Sequence, residues 1–439
     1  METVLLYILG VVIIALGLAL SIGLHEIGHL VPAKKFGVRV GQYMIGFGKT
    51  LWSRKFGETE YGVKALPLGG YISMAGMYPP AHEGEAGRDA STGFMETMMQ
   101  DVPADSSAAH DDDRVFYKLA TWKRIIIMLG GPTMNLLIGI VLYAVLLSGF
   151  GVQQLTSTLG GVNECLIAAS STATECTSED PVAPAAAAGL LPGDHLISID
   201  GVEVTDANSV RAIIQDAPGR ELSITFERDG ETKTVRATPE LTERQAADAD
   251  GVPLVDGNGE PITEKAGMLG ITFAVEMVQQ PVTAVLPAVG DNIVRVSGIL
   301  LRLPEKLVGV AQAAFGPNER DPNGPIGVIG IGRIAGEITS LDAVPVDVRA
   351  AELTRVLASL NIALFVFNLV PLMPLDGGHV AAALWESIRR RFALMFGKKD
   401  PGPVDITKLL PITMVVTVVL GLMTLLLMYA DIVKPISIL

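Results

Sequence analysis

The N-terminal stretch from residue 3 to residue 31 lacks charged side chains apart from one glutamate, in the sequence HEIGH. It also lacks a basic start and a small-residue cleavage site after a short apolar core. These absences argue against a removed signal peptide and favour a retained membrane span. The chain as a whole has too few basic residues to balance its acidic ones, and its formal net charge of −14 argues against nucleic-acid binding.

The HEIGH sequence contains His25, Glu26 and His29. Residues four apart lie on one face of a helix, so both histidines can direct an imidazole nitrogen at one ion. Glu26 lies beside that face, where it can take a proton from water, as in the zincin motif. A carboxylate near the centre of a membrane span costs at least ~2.5–3.5 kcal/mol. We therefore predict a functional metal site rather than a chance match.

The 439 residues are 49% hydrophobic, with a mean hydropathy of +0.43, and the apolar residues are concentrated in a few runs. This pattern predicts a polytopic α-helical membrane protein with about four transmembrane helices, at roughly 3–31, 124–150, 353–370 with a continuation, and 410–430. Basic residues cluster after the first span, before the second, and between the third and fourth. These clusters predict cytoplasmic flanks, with both termini and the segment 151–352 outside.

Residues 41–77 interleave apolar residues with turn residues, which predicts membrane-associated β-strands or a hairpin beside the metal site. Residues 78–113 are polar and aperiodic, which predicts a disordered acidic loop.

Cys165 and Cys176 form an even pair in an exported segment, which predicts a disulfide. Residues 281–315 are expected to lie along the outer membrane face, and the Gly-rich residues 324–337 are expected to be irregular.

Between residues 183 and 273, a helix start rich in small residues precedes a Pro-Gly-Asp turn, an alternating strand and a hairpin turning at Asp229-Gly230. This order resembles a circularly permuted bacterial PDZ domain. The resemblance implies an α+β domain that adds a peptide strand to a sheet edge and often captures a terminal carboxylate. We expect a turn at Gly267–Gly270 to hold that carboxylate.

The predicted organisation therefore has ten segments. In order, they are a first transmembrane helix with the HExxH motif (1–40), a β-strand segment (41–77), a disordered cytoplasmic loop (78–113), a second transmembrane helix (114–150), an extracytoplasmic linker with the cysteine pair (151–180), the PDZ-like domain (181–280), a membrane-surface or gate segment (281–350), a third transmembrane helix (351–391), a cytoplasmic loop (392–409) and a fourth transmembrane helix (410–439).

Polar residues in the later spans are candidates for the same site. The second span opens with GGPTMN, and its Asn135 is either helix-packing glue or a polar contact near the metal helix. The third span is broken by two prolines before Asp376, which either caps the restarted helix or binds the metal. Asp376 falls at a depth similar to that of His25. His25, His29 and Asp376 would supply the three ligands of a catalytic zinc site, with His379 as the alternative third ligand or a neighbouring packing residue.

These motifs resemble those of the site-2 proteases, membrane zinc metalloproteases of the M50 type that cut their substrates within the membrane. HEIGH is similar to their first motif, NLVPLMPLDGG (368–378) to their Asn-x-x-Pro-x-Pro-x-Leu-Asp-Gly motif, and GGPTMN to their Gly-Pro-x-x-Asn element. The resemblance implies one zinc ion per chain, held by His25, His29 and Asp376. It also implies that Glu26 is the general base and that Asn368 contacts the substrate or the developing oxyanion.

The resemblance further implies single-span membrane substrates that another protease has already trimmed outside, such as anti-sigma factors, or leftover signal peptides. It places the chain in the bacterial cytoplasmic membrane with the active site near the cytoplasmic side, and it makes the PDZ-like domain a filter against untrimmed ectodomains. An inactive membrane scaffold or chaperone would lack a base or a ligand, and none is missing. A metal transporter would spread polar groups through the full depth and show internal repeats, and neither feature is present.

Overall fold

The structure is a computed structural model. It describes residues 2–79, 88–91, 114–166, 176, 181–246, 254, 262–322, 324–404 and 410–436. The chain divides into two compact units, one formed by Met1–Phe150 with Gln280–Leu439, the other by Gly151–Gln279. The loop predicted to be disordered, 78–113, lies outside the described residues except for 78, 79 and 88–91.

The described helices, in chain order, are α1 (Glu2–Lys35), α2 (Thr121–Ala144), α3 (Pro184–Ala187), α4 (Ala207–Gln215), α5 (Val285–Leu301), α6 (Leu303–Phe315), α7 (Val328–Ser340), α8 (Val346–Asn368), α9 (Asp376–Met395) and α10 (Leu410–Val433). The strands are β1 (Val40–Phe56), β2 (Thr59–Tyr78), β3 (Arg88–Ser91), β4 (Val152–Val162), β5 (His195–Ile199), β6 (Val202–Glu203), β7 (Leu222–Arg228), β8 (Glu231–Ala237), β9 (Glu240–Gln245), β10 (Thr263–Met268) and β11 (Ile271–Val278).

Within the described residues, five helical stretches are long and apolar enough to cross a membrane, judged by length and composition. They are Glu2–Lys35, Thr121–Phe150, Val282–Leu301, Val346–Asn368 and Pro411–Val433. The third of these falls in the segment expected along the outer membrane face. Its polar residues Asp291, Asn292 and Arg295 interrupt the apolar run in sequence.

Helices α1 and α2 of the first unit cross with their backbones in contact at two glycines. A Cβ on Gly28 would lie 2.2 Å from the carbonyl oxygen of Gly130, and a Cβ on Gly130 would lie 2.0 Å from that of Gly28. Small residues permit this approach, as in other membrane helix pairs. Helix α2 also packs on α8 and α9, so it lies between the N-terminal helix and the two helices that flank the 368–378 motif.

Strands β1 and β2 form an antiparallel hairpin that curls on itself. Residues 42–45 pair with 60–63 on one side and with 70–73 on the other. The first half of β1 is largely buried, with Val40, Met44 and Phe47 in the interior, whereas residues 48–56 are exposed. The buried half packs on α1, where the Tyr43 hydroxyl donates to the Gly23 carbonyl at 2.8 Å.

The prediction of an irregular segment at 324–337 is wrong from residue 328 onward, because Val328–Ser340 forms helix α7. Its glycines serve close packing rather than disorder. A Cβ on Gly336 would lie 2.5 Å from the ring of Tyr7, and one on Gly330 would lie 2.9 Å from the carboxylate of Asp431.

The second unit contains an antiparallel sheet in the order β11-β4-β5-β7-β8, with β6 paired to β5, and a separate two-stranded sheet formed by β9 and β10. Its core includes Leu196, Val210, Leu222 and Phe226, all buried. The linker predicted at 151–180 is wrong for β4 (Val152–Val162), which lies between β11 and β5. Polar residues and the Gly160-Gly161 pair hide the strand pattern of β4 in the sequence.

The second unit also contains a disulfide and a helix cap. Cys165 and Cys176 are joined by a disulfide. Helix α4 begins with a capping box in which the Asp206 carboxylate accepts from the backbone N–H of Ser209 at 2.8 Å.

Candidate metal centre

Three side-chain atoms of the first unit form a nearly equilateral triangle. Nε2 of His25 lies 3.2 Å from Nε2 of His29, and Oδ2 of Asp376 lies 3.3 Å and 3.4 Å from these two atoms. A tetrahedral ion with bonds of about 2.0–2.1 Å separates its ligand atoms by about 3.3–3.4 Å. Oδ2 of Asp376 is buried and has no hydrogen-bond donor in the described part of the chain. The distances within the triangle therefore fit one zinc ion, and Oδ2 of Asp376 is available as a ligand to it.

Each imidazole is oriented from helix α2 through its other nitrogen. Nδ1 of His29 lies 2.7 Å from the carbonyl oxygen of Ile127, to which it donates. Nδ1 of His25 lies 3.1 Å from the amide of Asn135, a residue only 1% exposed. The amide atom at this distance is Nδ2, and Oδ1 of Asn135 is buried without a hydrogen-bond partner in the described part of the chain. An imidazole that presents Nε2 as a lone pair carries its proton on Nδ1, so we assign the amide the flipped orientation, in which Oδ1 accepts that proton. The structure thus places Asn135 against the first histidine.

Gly131 of α2 lies against both imidazoles. A Cβ there would be 2.2 Å from Nε2 of His29 and 2.7 Å from Nε2 of His25. The sequence offered only a general signal for this glycine, because GGP at a span start indicates close helix packing without naming the partner.

Asp376 reaches the histidines from the first turn of α9. The N-cap position of α9 is occupied by Leu375 and Asp376 is the first helical residue, so the alternative of Asp376 as the N-cap is not what the structure has. The chain folds tightly over this turn. A Cβ on Gly377 would lie 2.4 Å from the carbonyl oxygen of Val370, and a Cβ on Gly378 would lie 2.7 Å from the backbone nitrogen of Met373. The two glycines let the segment between α8 and α9 pack directly on the turn that carries Asp376.

The other residues predicted to belong to the site, Glu26, His379 and Asn368, lie outside the triangle of ligand atoms. Glu26 is 4% exposed and lies beside β2, where a Cβ on Gly70 would be 2.8 Å from its Cγ. His379 is buried in α9 and lies outside the three-atom cluster that the described residues form. Asn368 is half-buried at the last position of α8, before the turn that leads to Asp376.

A buried ion pair near the centre was missed in the sequence. Arg124 of α2 donates from Nη2 to Oε1 of Glu386 at 2.6 Å and from Nη1 to Oε2 at 3.1 Å. In the sequence, Arg124 is one of the basic residues clustered before the second span, and no local pattern links it to Glu386, 262 residues away.

The second unit carries a groove of about 290 Å³ between α4 and the edge strand β11. The helix lines it with Arg211, Ile214 and Gln215, and the other wall includes the predicted turn Gly267–Gly270. The Arg211 guanidinium lies 5.2 Å from the centre of the Phe273 ring. The groove thus has one cationic side chain over an apolar wall and an unpaired strand edge among the described strands.

Comparison with known proteins gives the family. Residues 13–398 match peptidase family M50. The zinc metalloprotease Rip1 of Mycobacterium tuberculosis (strain H37Rv) is 35% identical over 98% of this chain and 99% of its own length. Rip1 of Mycolicibacterium smegmatis is 33% identical over 98% of each chain, and the metalloprotease MmpA of Caulobacter vibrioides is 27% identical over 85% of each.

Proposed function

The chain belongs to peptidase family M50 and is a zinc-dependent metalloendopeptidase of the membrane, and we propose that it hydrolyses peptide bonds within the transmembrane segments of single-span membrane proteins. One observation carries the proposal. The zinc-sized triangle of His25, His29 and Asp376 is buried among helices apolar enough to span a bilayer, with Glu26 next to it in α1. A hydrolytic site at that depth is suited to a bond that water in the bulk does not reach.

The roles follow from the chemistry of each group. Zinc held by His25, His29 and Asp376 supplies Lewis acidity toward water and the scissile carbonyl. Glu26 takes the proton of the attacking water and hands it to the leaving amine. Asn135 holds His25 in the tautomer that presents Nε2.

Presentation of the substrate is assigned to the β1–β2 sheet and to Asn368. A helical substrate hides its carbonyls in intrahelical hydrogen bonds, so it must unwind before cleavage. The contact of Gly70 with Glu26 supports a place for the extended substrate along this sheet, by edge pairing. Asn368, which ends α8 just before the turn that carries Asp376, is suited to donate to the substrate or to the developing oxyanion.

The second unit is proposed to be a PDZ-like filter on the extracytoplasmic side. The groove between α4 and β11 supports this role, because an unpaired strand edge next to a Gly-rich turn can receive an extended peptide and its terminal carboxylate. Substrates would be single-span proteins trimmed by an earlier extracytoplasmic cut, such as anti-sigma factors, or leftover signal peptides. The basic clusters of the sequence support a cytoplasmic-membrane orientation with both termini outside.

Four complete membrane crossings are consistent with this orientation, because an even number of crossings keeps both termini on the same side. Asn292 of α5 donates to Ser359 of α8 at 3.0 Å, which supports insertion of α5 to the depth of that residue. Helix α6, which follows α5, ends with Phe315 stacked on Tyr429 near the end of α10. In the proposed orientation the end of α10 near Tyr429 faces the outer side, so this contact supports a position of the end of α6 on the outer side as well. The α5–α6 pair would then enter the membrane from the outer side and leave it on the same side.

The test uses purified protein in liposomes with a single-span substrate offered in two forms, with and without a bulky folded ectodomain. We expect cleavage inside the apolar segment of the trimmed form, located by mass spectrometry. We also expect Glu26→Gln to retain zinc and lose cleavage. Cuts confined to the soluble flanks, or a wild-type rate in Glu26→Gln, would contradict the proposal.

A further inference from the structure

The Arg124–Glu386 ion pair has no role in the chemistry above, and its two partners are 7% and 1% exposed. The two hydrogen bonds between them form a fork-to-carboxylate contact. Oε2 of Glu386 also accepts from the backbone N–H of Val404 at 3.1 Å, and Arg390 lies 3.3 Å from Oε1. One carboxylate thus joins α2, α9 and the segment that follows α9.

The metal centre depends on the contact between these helices. Helix α1 carries both histidines and α9 carries Asp376, while α2 packs extensively on both. Arg124 lies one turn before Ile127, whose carbonyl orients His29. On α9, Glu386 follows Asp376 by about 15 Å of helix. The distance from Asp376 to the imidazoles is therefore set largely by how α9 sits on α2.

A two-point contact constrains that seating more than a single hydrogen bond does. The planar guanidinium and the carboxylate fix both the rotation of α9 about its axis and its position along α2. The buried pair need not add stability, since apolar replacements of such pairs are often neutral or stabilising. A role in geometry is consistent with this, because the ligand triangle tolerates only small displacements of Oδ2 of Asp376.

We propose that the Arg124–Glu386 pair is a positioning element of the metal centre, which seats α9 on α2 so that Asp376 completes the ligand triangle. The proposal rests on the ligand set of the proposed function. It predicts that the pair governs how tightly and in what geometry the metal is held, with a smaller effect on whether the chain folds.

The structure provides a matched control. Arg320 and Asp431 form a second buried pair, at 2.8 Å with side chains 3% and 0% exposed. This pair joins α10 to the segment before α7, and Oδ2 of Asp431 accepts from the backbone N–H of Gly330 at 2.8 Å. Neither of its partners lies on a helix that carries a predicted ligand. Arg124→Lys and Arg320→Lys therefore make the same chemical change at two buried pairs, only one of which bears on the ligands.

The experiment measures two properties of the full-length protein in detergent. The first is the rate of zinc release into excess chelator, and the second is the visible absorption of the Co²⁺-loaded protein, which reports coordination geometry. We expect Arg124→Lys to release zinc on the order of 10-fold faster than wild type and to alter the Co²⁺ bands, the lower end of the range seen when a hydrogen-bond partner of a metal ligand is removed, because Arg124 acts on Asp376 only through the seating of α9. Arg320→Lys is expected to match wild type in both. The double variant Arg124→Met/Glu386→Met, which leaves no buried charge unpaired, should fold and still release zinc rapidly.

The outcomes separate the two proposals. Wild-type zinc release and Co²⁺ bands in Arg124→Lys, or equally fast release in Arg320→Lys, would overturn the positioning role. If the double variant does not fold, Arg124→Lys decides, because it keeps the buried positive charge. Full zinc retention in the Asp376→Ala variant would instead overturn the ligand set, whatever the Arg124 variants do.

Discussion

Gly131 and His29 are in contact across the α1–α2 interface, such that a Cβ on the glycine would lie 2.2 Å from the metal-facing Nε2 of the histidine. The absence of a side chain is thus a requirement of the metal centre and not only of helix packing. Backbone contact between Gly28 and Gly130 next to it fixes the same crossing point.

Gly131→Ala is expected to abolish zinc binding and to lower cleavage by about 100-fold or more, because the added methyl group displaces both imidazoles from the ligand triangle. Zinc content and cleavage of a single-span substrate are measured in detergent. Gly139→Ala on the same helix is the control, since its Cβ would meet the flexible end of Ile362. Equal zinc content in Gly131→Ala and Gly139→Ala would show that the glycine is not needed by the ligands.

Asn135→Leu is expected to weaken zinc binding by about 10- to 100-fold, because Nδ1 of His25 loses the partner that fixes its tautomer. The control is Asn361→Leu, which removes another fully buried amide whose Nδ2 donates to the Leu357 carbonyl within α8. Competition with a chelator of known affinity gives both dissociation constants. A wild-type constant in Asn135→Leu would assign this residue to helix packing.

Arg211→Glu is expected to reverse the charge preference of the groove in the second unit. If the groove binds peptides as proposed, the wild-type guanidinium is expected to favour peptides with an acidic residue near their C-terminus, and the variant should weaken their binding by about tenfold. Fluorescence polarisation with acidic and basic C-terminal peptides on the full-length protein measures this. Arg236→Glu, on the exposed pair with Glu221, controls for net charge. Unchanged preference in Arg211→Glu would remove the groove from peptide recognition.

The free energy of unfolding of the second unit is expected to decrease at low pH, because Asp194 becomes protonated. Burial opposes ionisation of this carboxyl, but hydrogen bonds from Arg228 at 2.6 Å and 2.7 Å and from the Leu191 N–H outweigh it and hold its pKa below the ordinary value. A folded-state pKa below the unfolded one gives stability that is present above the unfolded pKa, about 3.9, and is lost as the pH falls through the folded pKa.

Calorimetry of the intact chain tests this as a function of pH. Asp194→Asn should lower the melting temperature of the second unit at pH 7 and flatten its decline toward pH 3. Arg236→Gln, which breaks the exposed pair with Glu221, should leave the wild-type decline in place. The same decline in Asp194→Asn as in wild type would place the acid sensitivity elsewhere.

Local patterns were enough to pick out the three side chains that the structure brings together, His25, His29 and Asp376. The helical spacing of His25 and His29 and the double proline before Asp376 are both readable in a few residues, and the charge rule placed the two motifs at similar depth. The partners that support the site are not readable in this way. Arg124 and Glu386 meet only because α2 and α9 pack together, and nothing near either residue in the sequence indicates the other.

The errors in the fold have a related physical cause. Strand β4 reads as a linker because its polar and glycine residues carry little periodicity, and its place in the sheet comes from pairing with β5 and β11. The sequence of helix α7 is predicted to be irregular because glycines are more typical of loops than of helices. In the structure, Gly330 and Gly336 are where Asp431 and Tyr7 pack against the helix. In both cases tertiary contacts decide the local structure.

The most direct test measures bound zinc and cleavage together in wild type, Asp376→Ala and His379→Ala. Wild type should hold about one zinc per chain, Asp376→Ala should lose both zinc and cleavage, and His379→Ala should keep zinc because it lies outside the triangle. Full zinc retention in Asp376→Ala with loss in His379→Ala would contradict the ligand set and make His379 the third ligand.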